Sequence, residues 1–130
     1  MNPVRIGIQL ASLRQPFKRS LETASRLGAD AVEIDVRTEL KPGSVSQTAL
    51  RQLRKILDDL RLRVAAVTFQ TRRGYNVLDD LNERVEATKR AMSFAYELGT
   101  PVVVNQVGRI PDEAEGERFA VYREHQAAPA

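Results

Sequence analysis

The sequence contains no cysteine, a single histidine and few aromatic residues, with four phenylalanines, three tyrosines and no tryptophan among 130 residues. The lack of cysteine excludes disulfide bonds and cysteine-ligated zinc. The few aromatic residues form no recognisable stacking platform for nucleic-acid bases. No apolar run approaches the roughly 18 residues of a membrane span, and residues 1–5 lack the apolar stretch of a signal peptide. We therefore expect a cytoplasmic location and no membrane partner.

The charge pattern also disfavours a nucleic-acid partner. The formal net charge is +3, and the positive residues include many arginines spread along the chain. No dense basic cluster with interleaved aromatic residues occurs, although such clusters are typical of nucleic-acid interfaces. A content of 42% hydrophobic and 28% charged residues is typical of a globular protein with a core. The length suits one domain.

Four short apolar runs that end in polar residues recur along the chain, at residues 4–11, 31–37, 64–70 and 102–107. Two of them begin alike, with Leu-Gly-Ala-Asp-Ala-Val at 27–32 and Leu-Gly-Thr-Pro-Val-Val at 98–103. Strands that alternate with helices at this spacing indicate right-handed βαβ units and a parallel sheet. We predict an α/β fold, a parallel (βα)4 unit that is half of a TIM barrel.

Three amphipathic helices are predicted between the strands. Gly28 and Gly99 suit the C-terminal caps of the first and third helices, and Ser46 suits the N-cap of the second. Helical spacing predicts these buried residues: Phe17, Leu21, Ala24 and Leu27 in the first helix, Leu50, Leu53, Leu57 and Leu60 in the second, and Val85, Ala91, Met92, Ala95 and Leu98 in the third.

The pattern weakens after Gly108. We expect the half-barrel in residues 1–110, followed by a weak helix and a frayed tail in residues 111–130. The weak helix is predicted for Asp112 to His125, with an interruption at Gly116. His125 is the single histidine, and solvent exposure is expected for it in this tail.

Alternation along the strands predicts a polar inner face. If Val32 and Ile34 face the helices, Glu33 faces the barrel interior or its mouth, because residues two apart in a strand share a face. A carboxylate there needs a partner or water. An ion pair of Glu33 or Asp35 with an arginine, which would support the barrel, is one alternative. A site for a hydroxylated ligand is the other, and its polar set is Gln9, Glu33, Asp35, Thr68, Gln70 and Gln106.

Five arginines fall just after the ends of predicted strands: Arg14, Arg37, Arg72, Arg73 and Arg109. In parallel α/β folds the loops that follow the strands form the ligand-binding face. Arginines on this rim would attract a phosphate or a carboxylate. The alternative is that they pair with the acidic residues nearby in sequence, namely Glu39, Asp79, Asp80 and Asp112.

Three segments together resemble the sugar phosphate isomerase/epimerase family: Leu-Gly-Ala-Asp-Ala-Val-Glu-Ile-Asp at 27–35, Leu-Arg-Val-Ala-Ala-Val-Thr at 62–68 and Leu-Gly-Thr-Pro-Val-Val-Val-Asn-Gln at 98–106. The resemblance covers about residues 4 to 110. It implies the xylose isomerase-like TIM barrel, which is related to AP endonuclease family 2 and shared with endonuclease IV.

The resemblance also implies roles for particular residues. Glu33 matches a strand-two glutamate that often contacts substrate, so Glu33 is the candidate catalytic residue. Thr68 and Gln106 match positions where endonuclease IV-like members carry metal-binding histidines, which argues against that activity. The remaining candidates for contact with a sugar or sugar phosphate are Gln9, Asp35, Arg37, Gln70, Arg72, Arg73 and Arg109.

Relatives of this kind hold a divalent ion (Mn, Mg, Co or Zn) chiefly with residues of later strands, which this sequence does not contain. We therefore assign no metal ligand and expect no metal to be bound by this chain alone. The predicted function is the N-terminal half of an isomerase or epimerase barrel. Once completed, the barrel would catalyse metal-dependent proton transfer next to a carbonyl. The alternative is a non-catalytic or vestigial binding and oligomerisation module, and the sequence leaves open whether the chain is an enzyme.

A four-stranded piece of a barrel leaves its first and fourth strands unpaired, and unpaired edges invite association. Two copies could close an eight-stranded barrel, so a homo-oligomer is expected. A truncated product or a missing C-terminal half is the other explanation of the same pattern.

Overall fold

Strands and helices alternate along the chain in the computed structural model, which describes residues 3–117 and 120. The strands are β1 (Gly7–Gln9), β2 (Ala31–Asp35), β3 (Arg63–Thr68) and β4 (Val103–Val104). The α-helices are α1 (Phe17–Arg26), α2 (Gln47–Asp59) and α3 (Leu81–Glu97). Short 3₁₀ turns lie at Leu10–Leu13, Pro42–Ser44 and Glu113–Glu115. No helix in these ranges is long and apolar enough to span a bilayer.

The four strands form one parallel sheet in the order β1-β2-β3-β4. The predicted parallel (βα)4 arrangement is therefore confirmed. The fourth strand is shorter than the predicted run 102–107, because its ladder with β3 ends at the pair Thr68 and Val104. Beyond that pair the chain leaves the sheet, and the carbonyl of Val107 accepts a hydrogen bond from the N–H of Tyr75 in the loop after β3.

The helices cover one face of the sheet. Val32, Ile34 and Val67 are completely buried on this face, as the alternation pattern predicts. A β-bulge leaves Ala65 unpaired, because Val32 pairs with Val64 whereas Glu33 pairs with Ala66. The bulge lets Val64 and Val67 both reach the helix-covered face despite their odd spacing. It also places Thr68 on the same side as Glu33.

Most predicted helix faces are confirmed, with two errors. Leu27 is 64% exposed, because α1 ends at Arg26 and the next residue is rotated away from the buried stripe. Met92 is 54% exposed, because Ala91 and Ala95 face the core and the residue after Ala91 lies about 100° further around the helix. Phe94, which the pattern did not single out, is buried instead.

The predicted helix caps are confirmed. The Ser46 hydroxyl accepts a hydrogen bond of 3.1 Å from the N–H of Ala49, which satisfies a donor at the start of α2. Gly28 and Gly99 follow α1 and α3 with φ values of 81° and 85°, a conformation that glycine adopts without steric cost. Near the C-terminus, Asp112 caps a 3₁₀ turn at Glu113–Glu115. Half of the predicted last helix, including His125, lies outside the described residues.

The loop after β3 crosses the segment after β4 at two glycines. A Cβ atom at Gly74 would lie 2.6 Å from the Cα of Gly108 and 2.8 Å from the carbonyl oxygen of Val107. A Cβ atom at Gly108 would lie 2.8 Å from the Cα of Gly74. Only residues without side chains permit this approach of the two backbones. The crossing fixes the loop against the C-terminal end of the sheet.

Replacing Gly74 with alanine is expected to lower the free energy of unfolding by about 1–3 kcal/mol, because the new methyl group overlaps backbone atoms that cannot move independently. The matched control is Gly43→Ala, since a Cβ atom at Gly43 would meet nothing within 4 Å. Urea unfolding of both variants measures the difference. Equal stability of the two variants would show that the backbones do not cross at this distance.

Candidate functional site

Glu33 lies on the face of the sheet that α1, α2 and α3 leave uncovered, and two neutral side chains donate hydrogen bonds to one of its oxygens. Gln9 pairs with Glu33 in the sheet register, and its Nε2 donates to Glu33 Oε1 at 3.1 Å. The hydroxyl of Thr68 donates to the same oxygen. Among the described residues, no hydrogen bond reaches Oε2. The carboxylate is thus oriented on one side and retains an acceptor for another molecule.

Of the two alternatives for the inner carboxylates, the ion pair with an arginine is wrong. Within the described ranges neither Glu33 nor Asp35 has an arginine or lysine nitrogen within 4.0 Å. Instead, Asp35 Oδ1 accepts hydrogen bonds from the backbone N–H groups of Arg37 at 2.8 Å and Thr38 at 3.1 Å. Asp35 therefore stabilises the turn after β2, because backbone donors satisfy its charge in place of a cation.

Glu39 lies next to this turn and accepts a hydrogen bond of 2.9 Å from the backbone N–H of Asp35. Burial raises the pKa of Glu39 above its ordinary value. The hydrogen bond from Asp35 opposes this shift, and the negative charge of Asp35 adds to it. The sequence offered Glu39 as a partner for a rim arginine, but its carboxylate instead accepts a hydrogen bond from the backbone at the end of β2.

Pairing with nearby acids, which was the alternative to ligand binding, is observed for only two of the five rim arginines. Arg73 lies 4.0 Å from Asp79, which is one of the predicted partners. Arg109 pairs with Glu115 and not with Asp112, whose carboxylate accepts a hydrogen bond from the N–H of Ala114.

The other three rim arginines form no ion pair with the described residues. Arg37 donates from Nη1 to the backbone carbonyl of Gln70. In the part of the chain that the structure describes, Arg14, Arg37 and Arg72 have no carboxylate within 4.0 Å. Their charges are therefore available to a ligand.

A large cleft of about 700 Å³ opens between the loop after β3 and the segment after β4. Its polar groups are amides, a hydroxyl, two arginines and the carboxylate of Glu115, which pairs with Arg109. The amides, the hydroxyl and Arg72 suit a hydroxylated or anionic ligand. The predicted candidates Gln106, Arg72 and Arg109 lie in its wall. The complete lining is Thr71, Arg72, Gly74, Asn76, Val77, Asn105, Gln106, Val107, Gly108, Arg109, Pro111 and Glu115.

Behind this cleft, three side chains form a continuous hydrogen-bond chain. Asn105 Nδ2 donates to the Tyr75 hydroxyl at 2.6 Å, and that hydroxyl lies 2.6 Å from Thr88 Oγ1. Thr88 donates in turn to the carbonyl of Arg84 at 2.9 Å. Sequence reasoning singled out neither Tyr75 nor Asn105 as a site residue. The single available signal was the polar character of the loop at 71–76.

A small cleft of about 510 Å³ lies beside the loop after β3 and against α3. Its lining is Arg37, Phe69, Thr71, Arg72, Arg73, Asp80, Glu83, Arg84 and Ala87. Arg84 was not predicted, because it belongs to a helix and does not follow a strand. Its guanidinium donates to the backbone carbonyls of Gly74, Val77 and Asp79, so it holds the loop after β3 in place.

The predicted site residues therefore fall into separate groups. Gln9, Glu33 and Thr68 are joined by hydrogen bonds on the open face of the sheet. Other candidates line the two clefts, and Arg72 contributes to both. Gln70 is exposed and contacts Arg37 through its backbone carbonyl.

No metal centre is assembled by the described residues. Across residues 3–117 and 120, no group of three or more histidine, cysteine, aspartate or glutamate side chains is close enough to hold a metal ion. Glu33 offers a single free oxygen, and Asp35 Oδ1 is bound to the backbone. These side chains do not fit a complete divalent-metal site.

Glu39→Gln is expected to change how stability depends on pH. Between the ordinary pKa of 4.5 and the higher folded pKa, the folded wild type binds the Glu39 proton more tightly than the unfolded chain does. The wild type therefore loses this stabilisation as the pH rises through that window. The variant has no such proton, so its free energy of unfolding should rise relative to the wild type across the window.

Urea unfolding at a series of pH values measures this difference. The glutamine oxygen can still accept the Asp35 N–H, whereas Glu39→Ala removes that acceptor and should lower stability throughout the series. If the free energy of unfolding of Glu39→Gln depends on pH in the same way as that of the wild type, the raised pKa of Glu39 is contradicted.

Solved structures with the same fold come from several bacteria. A xylose isomerase domain protein from Planctomyces limnophilus superposes with a TM-score of 0.63 and 15% identity over 95% of this chain and 46% of its own. A sugar phosphate isomerase/epimerase from Parabacteroides distasonis superposes with a TM-score of 0.60 and 19% identity, over 93% of this chain and 45% of its own. A xylose isomerase-like TIM barrel protein from Mycobacterium smegmatis, in complex with magnesium, superposes with a TM-score of 0.59 and 15% identity, over 87% of this chain and 41% of its own.

The chain spans less than half the length of each of these three structures. At such identities the likeness establishes the fold. A search of curated proteins gave no match. The family model described as xylose isomerase-like TIM barrel matches residues 21–128, which is most of the sequence. Together with the parallel (βα)4 sheet, this match shows that the chain belongs to the xylose isomerase-like TIM barrel family.

Proposed function

We propose that this chain forms the N-terminal half of a sugar or sugar phosphate isomerase or epimerase barrel, with Glu33 as the carboxylate that contacts the substrate. The observation that carries the proposal is the arrangement of Glu33 on the open face. Gln9 and Thr68 hold Oε1, and no described residue donates to Oε2. Glu33 lies two residues before the carboxyl end of β2, and ligand sites of parallel barrels occur at that end.

The chemistry of these reactions suits a carboxylate held in this way. Isomerisation or epimerisation next to a carbonyl needs a base that removes a carbon-bound proton and an electrophile that stabilises the resulting enediolate. Glu33 would act as the base through Oε2, because Gln9 and Thr68 fix its orientation without adding charge. Neutral donors leave the carboxylate free to accept a proton.

A divalent ion (Mn, Mg, Co or Zn) would supply the electrophile when bound. The Mycobacterium smegmatis relative is described as a magnesium complex. In this chain the one free oxygen of Glu33 is assigned to the base, and the described residues assemble no group of three potential metal ligands. The ligands of such an ion would have to come from the half of the barrel that this chain does not form.

We further propose that a second copy of the chain closes the barrel. Within the described residues β1 and β4 each pair on one side, which leaves two open strand edges. Val104 points to the same side as Thr68 and is 42% exposed, so apolar surface remains for a partner. Pairing β1 of each copy with β4 of the other, around a two-fold axis, would provide hydrogen-bond partners for the backbone groups at both open edges.

A non-catalytic binding module is the second candidate. The observation that favours it is the composition of the large cleft, where amides, arginines and a threonine hydroxyl line the walls together with one carboxylate, that of Glu115. Such groups recognise hydroxyls and anions. They provide no activated nucleophile or histidine for a reaction.

The test is exchange of the substrate proton with solvent. D-Xylose, D-fructose and fructose 6-phosphate are each incubated with the chain and MnCl₂ in D₂O, and NMR follows deuterium incorporation next to the carbonyl carbon. At least one sugar should exchange, and Glu33→Gln should slow that exchange by about tenfold or more, since the base is removed. The control Glu22→Gln replaces an exposed carboxylate on α1 and should leave the rate unchanged.

The possible results separate the two candidates. Binding of a sugar without exchange, measured by calorimetry, would identify the binding module. Exchange that persists at the wild-type rate in Glu33→Gln would overturn the role of Glu33. Unfolding midpoints of both variants verify that each is folded.

A further inference from the structure

The small cleft has an excess of positive charge. Four arginines line it (Arg37, Arg72, Arg73 and Arg84), against the two acids Asp80 and Glu83. Within the described ranges, the one ion pair that involves any of these four joins Arg73 to Asp79 at 4.0 Å. Both side chains of that pair are mostly exposed, at 59% and 84%, so the pair contributes little. The cleft therefore keeps most of its positive charge.

Two of the four guanidinium groups are held in place by neutral partners. Arg84 donates to three backbone carbonyls in the loop after β3, and Arg37 donates to the carbonyl of Gln70. Carbonyl oxygens orient these groups without neutralising them. The Nε of Arg84 is buried and has no acceptor among the described residues. An arginine that is already ordered loses less conformational entropy when it binds an anion.

The other two guanidinium groups belong to exposed residues of the loop, Arg72 and Arg73. Their side chains can adjust to a ligand that enters the cleft. The cleft volume of about 510 Å³ lies within the range of roughly 300–1,000 Å³ that is usual for small-molecule sites. Positive charge concentrated in a concave site raises the local concentration of anions.

We propose that the small cleft is a binding site for a phosphate group. Phosphate carries nearly two negative charges and three acceptor oxygens, which match several arginines better than a singly charged carboxylate does. The group could be inorganic phosphate or the phosphate of a sugar phosphate. Glu33 does not line this cleft, so the proposal is independent of the reaction proposed above.

The test is isothermal titration of the wild-type chain with inorganic phosphate, fructose 6-phosphate, fructose and acetate. Both phosphates should bind, and the affinities for fructose and acetate should be at least tenfold lower. Arg73→Gln changes a residue that lines the small cleft alone, and it should weaken phosphate binding by about tenfold, since a charge-assisted hydrogen bond is lost. The matched control, Arg51→Gln, changes an exposed arginine of α2 that lines neither cleft, and this variant should bind phosphate as the wild type does.

Amide shifts of Arg73, Glu83 and Ala87, which line the small cleft and not the large one, locate the site in an NMR titration without reference to activity. Equal affinity for the two phosphates supports a site that recognises the phosphate group alone, and tighter binding of fructose 6-phosphate supports a sugar phosphate as the ligand. Equal phosphate affinity of Arg51→Gln and Arg73→Gln, acetate binding as tight as phosphate binding, or no phosphate binding would overturn the proposal. Glu33→Gln should retain phosphate affinity, which separates this result from a failure of the proposed reaction.

Discussion

A parallel sheet is ordinarily covered on both faces, and within residues 3–117 the helices α1, α2 and α3 cover one of them. On the covered face Val32, Ile34 and Val67 are completely buried. The opposite face carries a hydrogen-bonded polar group around Glu33 and a partly exposed valine in β4. The need to cover this second face links the fold to the function, because the surface that must be closed also holds the candidate catalytic carboxylate.

The polar group on the open face depends on local features of the sheet. The register of β1 against β2 places Gln9 beside Glu33, and the bulge at Ala65 brings Thr68 to the same side. Both donors reach one carboxylate oxygen, so Glu33 has a defined orientation without a cationic partner. The two clefts have a different origin, since the glycine crossing at Gly74 and Gly108 holds the loop after β3 against the end of the sheet.

Alternation and helical spacing were sufficient to predict the parallel (βα)4 sheet, the caps at Ser46 and Gly28, and the inner position of Glu33. These features depend on short segments, in which local geometry follows from neighbouring residues. The partners of charged side chains were less predictable. Asp35 is satisfied by backbone donors in its own turn, and proximity in sequence to an arginine gave no indication of this.

Features that depend on contacts between distant segments could not be predicted. Tyr75 joins Asn105 to Thr88 only because two loops cross, and Arg84 reaches the loop after β3 from within a helix. The early end of β4 is set by its pairing with β3, while the apolar run itself continues further. Neither hydrophobic periodicity nor charge spacing contains this information.

The central claim is that a second copy of the chain covers the open face and joins β1 to β4. Light scattering of the purified chain at micromolar concentration tests it most directly. The account predicts a particle with twice the chain mass of 14.6 kDa. A particle with the mass of a single chain would contradict it.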